Sequence, residues 1–144
     1  MIKTVSPKKI NKLLEEYSTK NRINEYIDEK KLENVNETIE VIINILELIK
    51  EFIKTPETNM IRSLFDTKED LISELEDHIL KLKNEDFSKI KDLIILFAPT
   101  SDLQEISLDS GWVKLFLIIS EKFDCVIKDL IEKFKLKAIF KRNY

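Results

Sequence analysis

The sequence predicts an all-α bundle, and three observations carry that prediction. One glycine and three prolines in 144 residues are too few for hairpin-rich β architectures, whose tight turns draw on glycine. Apolar residues recur at three- and four-residue spacing through most of the chain, the period of a helix with one buried face. The breaks between those stretches carry helix-start punctuation. Ser6-Pro7, Thr55-Pro56 and Thr67-Lys68-Glu69-Asp70 each set a capping hydroxyl before a residue suited to the first turn. A chain of this length buries roughly 68–70% of its extended surface on folding. A single domain, 1–144, of six to eight helices is therefore expected, with no metal or disulfide staple.

Taken in order, Ser6 and Pro7 open a helix on which Ile10, Leu13, Leu14 and Tyr17 share a side, and Ile23, Tyr26 and Ile27 suggest a short second one. Asn36 is the expected cap of the next helix, running to about Lys54. At 100° per residue its apolar positions, from Ile39 to Ile53, span an arc of roughly 220°. Only a stripe of Glu40, Asn44, Glu47 and Glu51 is polar. A helix so widely apolar must be surrounded, so residues of about 37–54 are expected to form the largely buried centre of the bundle. Thr55-Pro56 is read as the start of a short helix carrying Met60, Ile61, Leu64 and Phe65. Thr67 to Asp70 resembles a capping box, with aspartate in the glutamate position, and opens a helix with Leu71, Ile72, Leu75, Ile79 and Leu82 on its apolar face. Ile90, Leu93, Ile94 and Phe97 predict another, stopped at Ala98-Pro99. Residues 100–111 read as a loop with one helical turn at Leu103 to Ile106. Asp109-Ser110-Gly111 then starts the last long helix, whose stripe runs Trp112, Phe116, Ile119, Phe123, Val126, Ile127, Leu130 and Phe134.

Composition excludes several kinds of chemistry. Cys125 is the only cysteine and His78 the only histidine, which removes intramolecular disulfides, cysteine-based zinc sites, HExxH zincins and paired-histidine metal sites. Glycine-rich phosphate loops need several glycines close together and are excluded too. Residues 1–7 lack the apolar core of a secretory signal. The longest apolar run, Leu93 to Pro99, is far short of the ~20 residues that span a bilayer. The expectation is a soluble cytoplasmic protein that contacts neither membrane nor nucleic acid. Net charge is −3 but unevenly placed: Glu57 to Asp86 holds nine acids against four bases, whereas Lys133 to Arg142 holds five bases and no acid.

His78 is the one residue around which catalysis could be built. Asp70, Glu74 and His78 stand at i, i+4 and i+8 and share a side of one helix, the spacing of a two-carboxylate, one-histidine metal site. Such a site also needs a cavity and usually ligands from a second helix. The competing and preferred reading is a histidine at the margin of the apolar face, beside a solvated polar flank of Asp70, Glu74, Asp77 and Lys81. No cofactor is expected. Trp112 follows the only glycine and sits mid-stripe, so it reads as core, and Gly111 as the residue that permits a tight approach to the last helix. The basic tail interleaves Phe134, Leu136, Ile139 and Phe140, the pattern of a docked amphipathic turn with lysines reaching outward.

The segment Leu96 to Trp112, with its Phe-Ala-Pro-Thr stop, Leu-Gln-Glu-Ile and Asp-Ser-Gly-Trp, resembles a segment of small helical bacterial proteins of the toxin-immunity type. That resemblance implies a non-enzymatic inhibitor that binds a toxin or effector. An acidic inhibitor suits a basic protein partner, because opposed charge speeds encounter. The expected contact residues are Glu69, Asp70, Glu74 and Asp77 on one helix, with Asp102, Glu105 and Asp109 lifted from the bundle by the loop. Two alternatives stand beside it. One is an assembly subunit that buries Leu80, Leu117 and Ile118, which fall off their helices' apolar stripes, in a helical oligomer. The other is a metal-dependent enzyme using His78.

Overall fold

A computed structural model describes residues 35–134. The helices expected around 7–17 and 23–27 lie outside the described residues, as does the basic tail beyond Phe134. Five helices and no strand occur among the described residues: α1 (Val35–Lys54), α2 (Lys68–Lys83), α3 (Ile90–Phe97), α4 (Asp102–Ser110) and α5 (Val113–Lys133).

α1 is central because its side chains leave no other choice. Ile39, Val41, Ile42, Ile45, Leu46, Leu48, Ile49, Phe52 and Ile53 are all buried, and at about 1.5–3 kcal/mol per fully buried aliphatic side chain no other element contributes as much. Glu37, Glu40, Glu51 and Lys54 form the exposed stripe. Val35 and Asn36 are both already helical, so Asn36 is not the cap of this helix. α2 packs on one part of the apolar arc and α5 on another, while α4 lies against α5 and α3 touches both α4 and α5.

Polar ties at the helix ends show the directions. Lys68 Nζ donates to the Thr55 carbonyl at 3.0 Å, joining the end of α1 to the start of α2. Thr38 near the start of α1 reaches Asp129 near the end of α5 at 3.3 Å, and Lys133 Nζ stands 3.0 Å from the same carboxylate. Both neighbours therefore run antiparallel to α1. Asp129 is buried, and a lysine and a hydroxyl meet its carboxylate, as a buried charge requires. An aromatic chain closes the opposite end: Phe52 lies 5.2 Å from Trp112, Trp112 6.4 Å from Phe116, and Phe97 stacks on Phe123 at 4.0 Å.

Two helices stop in the same way with different residues. α4 ends at Gly111, whose φ of 84° is left-handed, and the Trp112 N–H reaches back to the Ser107 carbonyl at 3.0 Å. Gly111 thus ends α4; it does not open α5, and Asp109 and Ser110 belong to the last turn of α4. α2 makes the equivalent turn through Glu85, at φ 53°, with Glu85 N–H on the Leu82 carbonyl and Asp86 N–H on the Lys81 carbonyl. A side chain in that conformation costs roughly 1–2 kcal/mol that glycine does not pay. Glu85→Gly should stabilise the protein by about 0.5–1 kcal/mol after the added freedom of the unfolded chain is subtracted. A chemical-denaturation midpoint that rises at unchanged slope confirms it; a lower midpoint refutes it.

Candidate functional site

The helix expected after Thr55-Pro56 does not form, and the reason lies one turn earlier. Pro56 has no N–H for the Phe52 carbonyl, and its ring excludes continuation of α1 past that point. That carbonyl accepts instead the Thr55 N–H at 3.2 Å, the Thr55 hydroxyl at 2.6 Å and the Thr58 hydroxyl at 2.7 Å. Thr55 therefore closes a helix where the sequence suggested it would open one. Thr58 also accepts the Trp112 indole N–H at 3.3 Å. From there residues 59–65 run as an irregular strap along α4.

Each step of the strap is pinned by a polar group of α4 or of the strap itself. Asn59 N–H donates to Ser110 Oγ at 2.7 Å, and Asn59 Oδ1 accepts the Ile61 N–H at 2.9 Å. Arg62 grips Asp109 with two N–H groups, at 2.8 and 2.5 Å, and its Nη2 is 3.2 Å from Glu105. Asp102 accepts the Ser63 hydroxyl at 3.0 Å and the Leu64 N–H at 3.0 Å. The contacts run Ser110, Asp109, Asp102 as the strap advances, so it lies antiparallel to α4. The hydrogen bonds from Arg62 hold the Asp109 carboxyl below the usual range, and Asp109 in turn raises the guanidinium.

Asp102, Glu105 and Asp109 are therefore not on a loop. Ser101 caps the helix that bears them by accepting the Gln104 N–H at 3.3 Å, and spacing of i, i+3 and i+7 sets all three on one face. The structure brings these acids together with Arg62, a residue the sequence reading passed over. Three carboxylates against one guanidinium leave that face net acidic.

The acids of α2 form a separate group with its own cation. Lys89, in the turn before α3, donates to Glu74 at 2.8 Å and Asp77 at 3.0 Å. Its hydrogen bond lowers the Asp77 carboxyl, while the bond to Glu74 leads in raising Lys89 itself. Glu69 and Asp70 are exposed in the first turn, where Thr67 Oγ1 accepts the Asp70 N–H at 3.1 Å as the capping pattern predicts. Acids in a first turn favour the helix electrostatically.

His78 is not at the margin of the apolar face. Its side chain is 2% exposed, buried beside Leu75, Ile79 and Leu82 on the inner side of α2. Nε2 comes within 3.0 Å of Glu74 Oε2 but lies off the line of an N–H···O hydrogen bond, and it has no other partner. Among the described residues no group of three or more His, Cys, Asp or Glu is placed to hold a metal ion, so Asp70, Glu74 and His78 share a helix without converging. Helical spacing alone could not separate these cases. The depth of a side chain at the boundary of a stripe depends on the facing helix.

Burial is the main cause that holds the imidazole below its ordinary pKa; Glu74 opposes the shift and Lys89 adds to it. Above the unfolded value of ~6.5 His78 is neutral in both states and contributes no pH dependence. Below it the unfolded chain takes up a proton that the native chain resists, so stability falls as pH drops from ~6.5 toward the folded value. His78 is the sole histidine, so its imidazole resonance can be followed without assignment. It should titrate below pH ~6.5, and the acid loss of stability over that range should flatten in His78→Gln. Titration at or above the unfolded value would contradict the burial argument.

No helix among the described residues is long and apolar enough to cross a membrane. No protein-family model, curated protein or solved structure matches the chain.

Proposed function

We propose that this chain is a non-enzymatic binding protein of the immunity or antitoxin type, a cytoplasmic inhibitor that covers a basic toxin or effector and is built on a bundle of six to eight helices. The observation that carries the reading is the α4 face. Asp102, Glu105 and Asp109 are aligned on a capped helix and held in place by Arg62, Ser63 and the Leu64 N–H. Charges fixed in this way present a field without the entropy loss of ordering loose side chains on contact. Glu69 and Asp70 on α2 extend the acidic character of a stretch that carries nine acids against four bases. A second reading, the helical assembly subunit, is favoured by the exposure of Leu80, Leu117 and Ile118 on α2 and α5.

Co-expression with the product of the adjacent gene separates the two. The binding reading expects the chain to relieve that protein's toxicity and to purify with it as a stoichiometric complex. Neutralising Glu69→Gln, Asp70→Asn and Glu105→Gln together leaves the Arg62–Asp109 and Asp102 clasps intact. It should slow association at low salt by roughly fivefold or more and flatten the salt dependence. Thermal stability should fall only by the first-turn contributions of three acids, Glu69 and Asp70 on α2 and Glu105 on α4, about 0.3–1 kcal/mol each. Absence of protection together with a defined homo-oligomer favours the assembly subunit instead.

A further inference from the structure

Ile61 is 85% exposed and Leu64 91% exposed, the two most exposed large apolar side chains among the described residues. Neither contributes to the core, yet the backbone that carries them is immobilised. The Ile61 N–H is bound by Asn59, the Leu64 N–H by Asp102, and Arg62 between them by Asp109 and Glu105. Thr58, at the head of the strap, is buried and accepts the Trp112 indole. A loose loop would let these side chains fold back onto apolar surface. This strap instead holds them out in water, with Leu108 exposed on α4 beside the acidic face. Large apolar groups on a preorganised backbone, ringed by polar groups, are the arrangement of interface anchors, because little entropy remains to be lost on binding.

We infer that residues 59–65 are the centre of a protein-binding surface on which Ile61 and Leu64 enter apolar sockets of a basic protein partner, an assignment that rests on the binding function proposed above. Charge chooses the occupant. Arg62 is the cation clasped on this face, against Asp102, Glu105 and Asp109 on α4 and exposed Asp66 just past the strap. A partner whose sockets are rimmed by lysine or arginine gains from all of these acids. Two copies of this chain meeting through the same face would set acid against acid. Of the two carboxylates that Arg62 meets, Glu105 is the more exposed, so it is the one a partner guanidinium reaches first.

The test places the photo-crosslinker p-benzoylphenylalanine at Leu64 of the full chain in cells of the source organism, with the same group at Glu40 on the exposed stripe of α1 as control. The cross-linked protein is identified, purified and titrated against wild type and Ile61→Ser/Leu64→Ser. The expected result is a basic protein captured from Leu64 but not from Glu40, with affinity for the double variant reduced about thirtyfold or more. Since both side chains are almost fully exposed, the variant should keep the wild-type melting temperature, which excludes misfolding as the cause. Capture of a second copy or of another part of this chain, an acidic partner, no capture above the control, or unchanged affinity of the double variant would each overturn the inference. If a partner still binds the double variant but loses association rate on neutralising Glu69, Asp70 and Glu105, the proposed function stands and only the strap fails.

Discussion

The carbonyl of Phe52 is the group on which the candidate site depends. α1 buries more large apolar side chains than any other helix described, and Pro56 removes the amide donor that this carbonyl would have met in a continued helix. A buried acceptor without a partner costs about 1–3 kcal/mol. The Thr55 N–H and two threonine hydroxyls meet it here, and one of those hydroxyls, on Thr58, also receives the Trp112 indole. One junction therefore ends the central helix, sets the direction of the strap and fixes the residue from which α5 departs. The Phe52 ring against Trp112 seals it from water.

Beyond that junction the surface is organised by two cations. Arg62 and Lys89 each sit outside a helix and clasp carboxylates on one: Arg62 on α4, Lys89 on α2. These contacts are half-exposed, so each contributes little to global stability. Their effect is geometric. Lys89 ties the turn before α3 back to α2, and Arg62 ties the strap to α4. The acidic character of both faces is retained because each cation meets more than one carboxylate.

Arginine suits the α4 clasp for a further reason. Its fork matches the two oxygens of Asp109 and still leaves Nη2 near Glu105. Lysine at 89 meets Glu74 and Asp77 as a point charge, one contact to each. His78 lies beneath this second cluster, neutral and buried, in a position where a second positive charge beside Lys89 would be unfavourable.

Much of the fold was legible because it depends on local pattern. The buried arc of α1, the Thr67 cap of α2, the apolar positions of α3 and the stripe of α5 follow from helical period and capping chemistry, and each stands where those residues place it. The acids of the candidate faces were also visible as residues. Their setting was not. Thr-Pro can open a helix or close one; here it closes α1, with the Thr55 N–H and the Thr55 and Thr58 hydroxyls gathered on the Phe52 carbonyl. Whether Asp102 to Ser110 coils depends on α5 packing beneath it and on Gly111 ending it. Whether His78 is at the margin or buried depends on the helix that faces it. By itself the sequence determined which stretches must hide an apolar face, since that is a matter of spacing along the chain. Only the tertiary structure decided that Ile61 and Leu64 stay in water while Arg62 between them is clasped, because those contacts join residues about forty positions apart, and no local period records them.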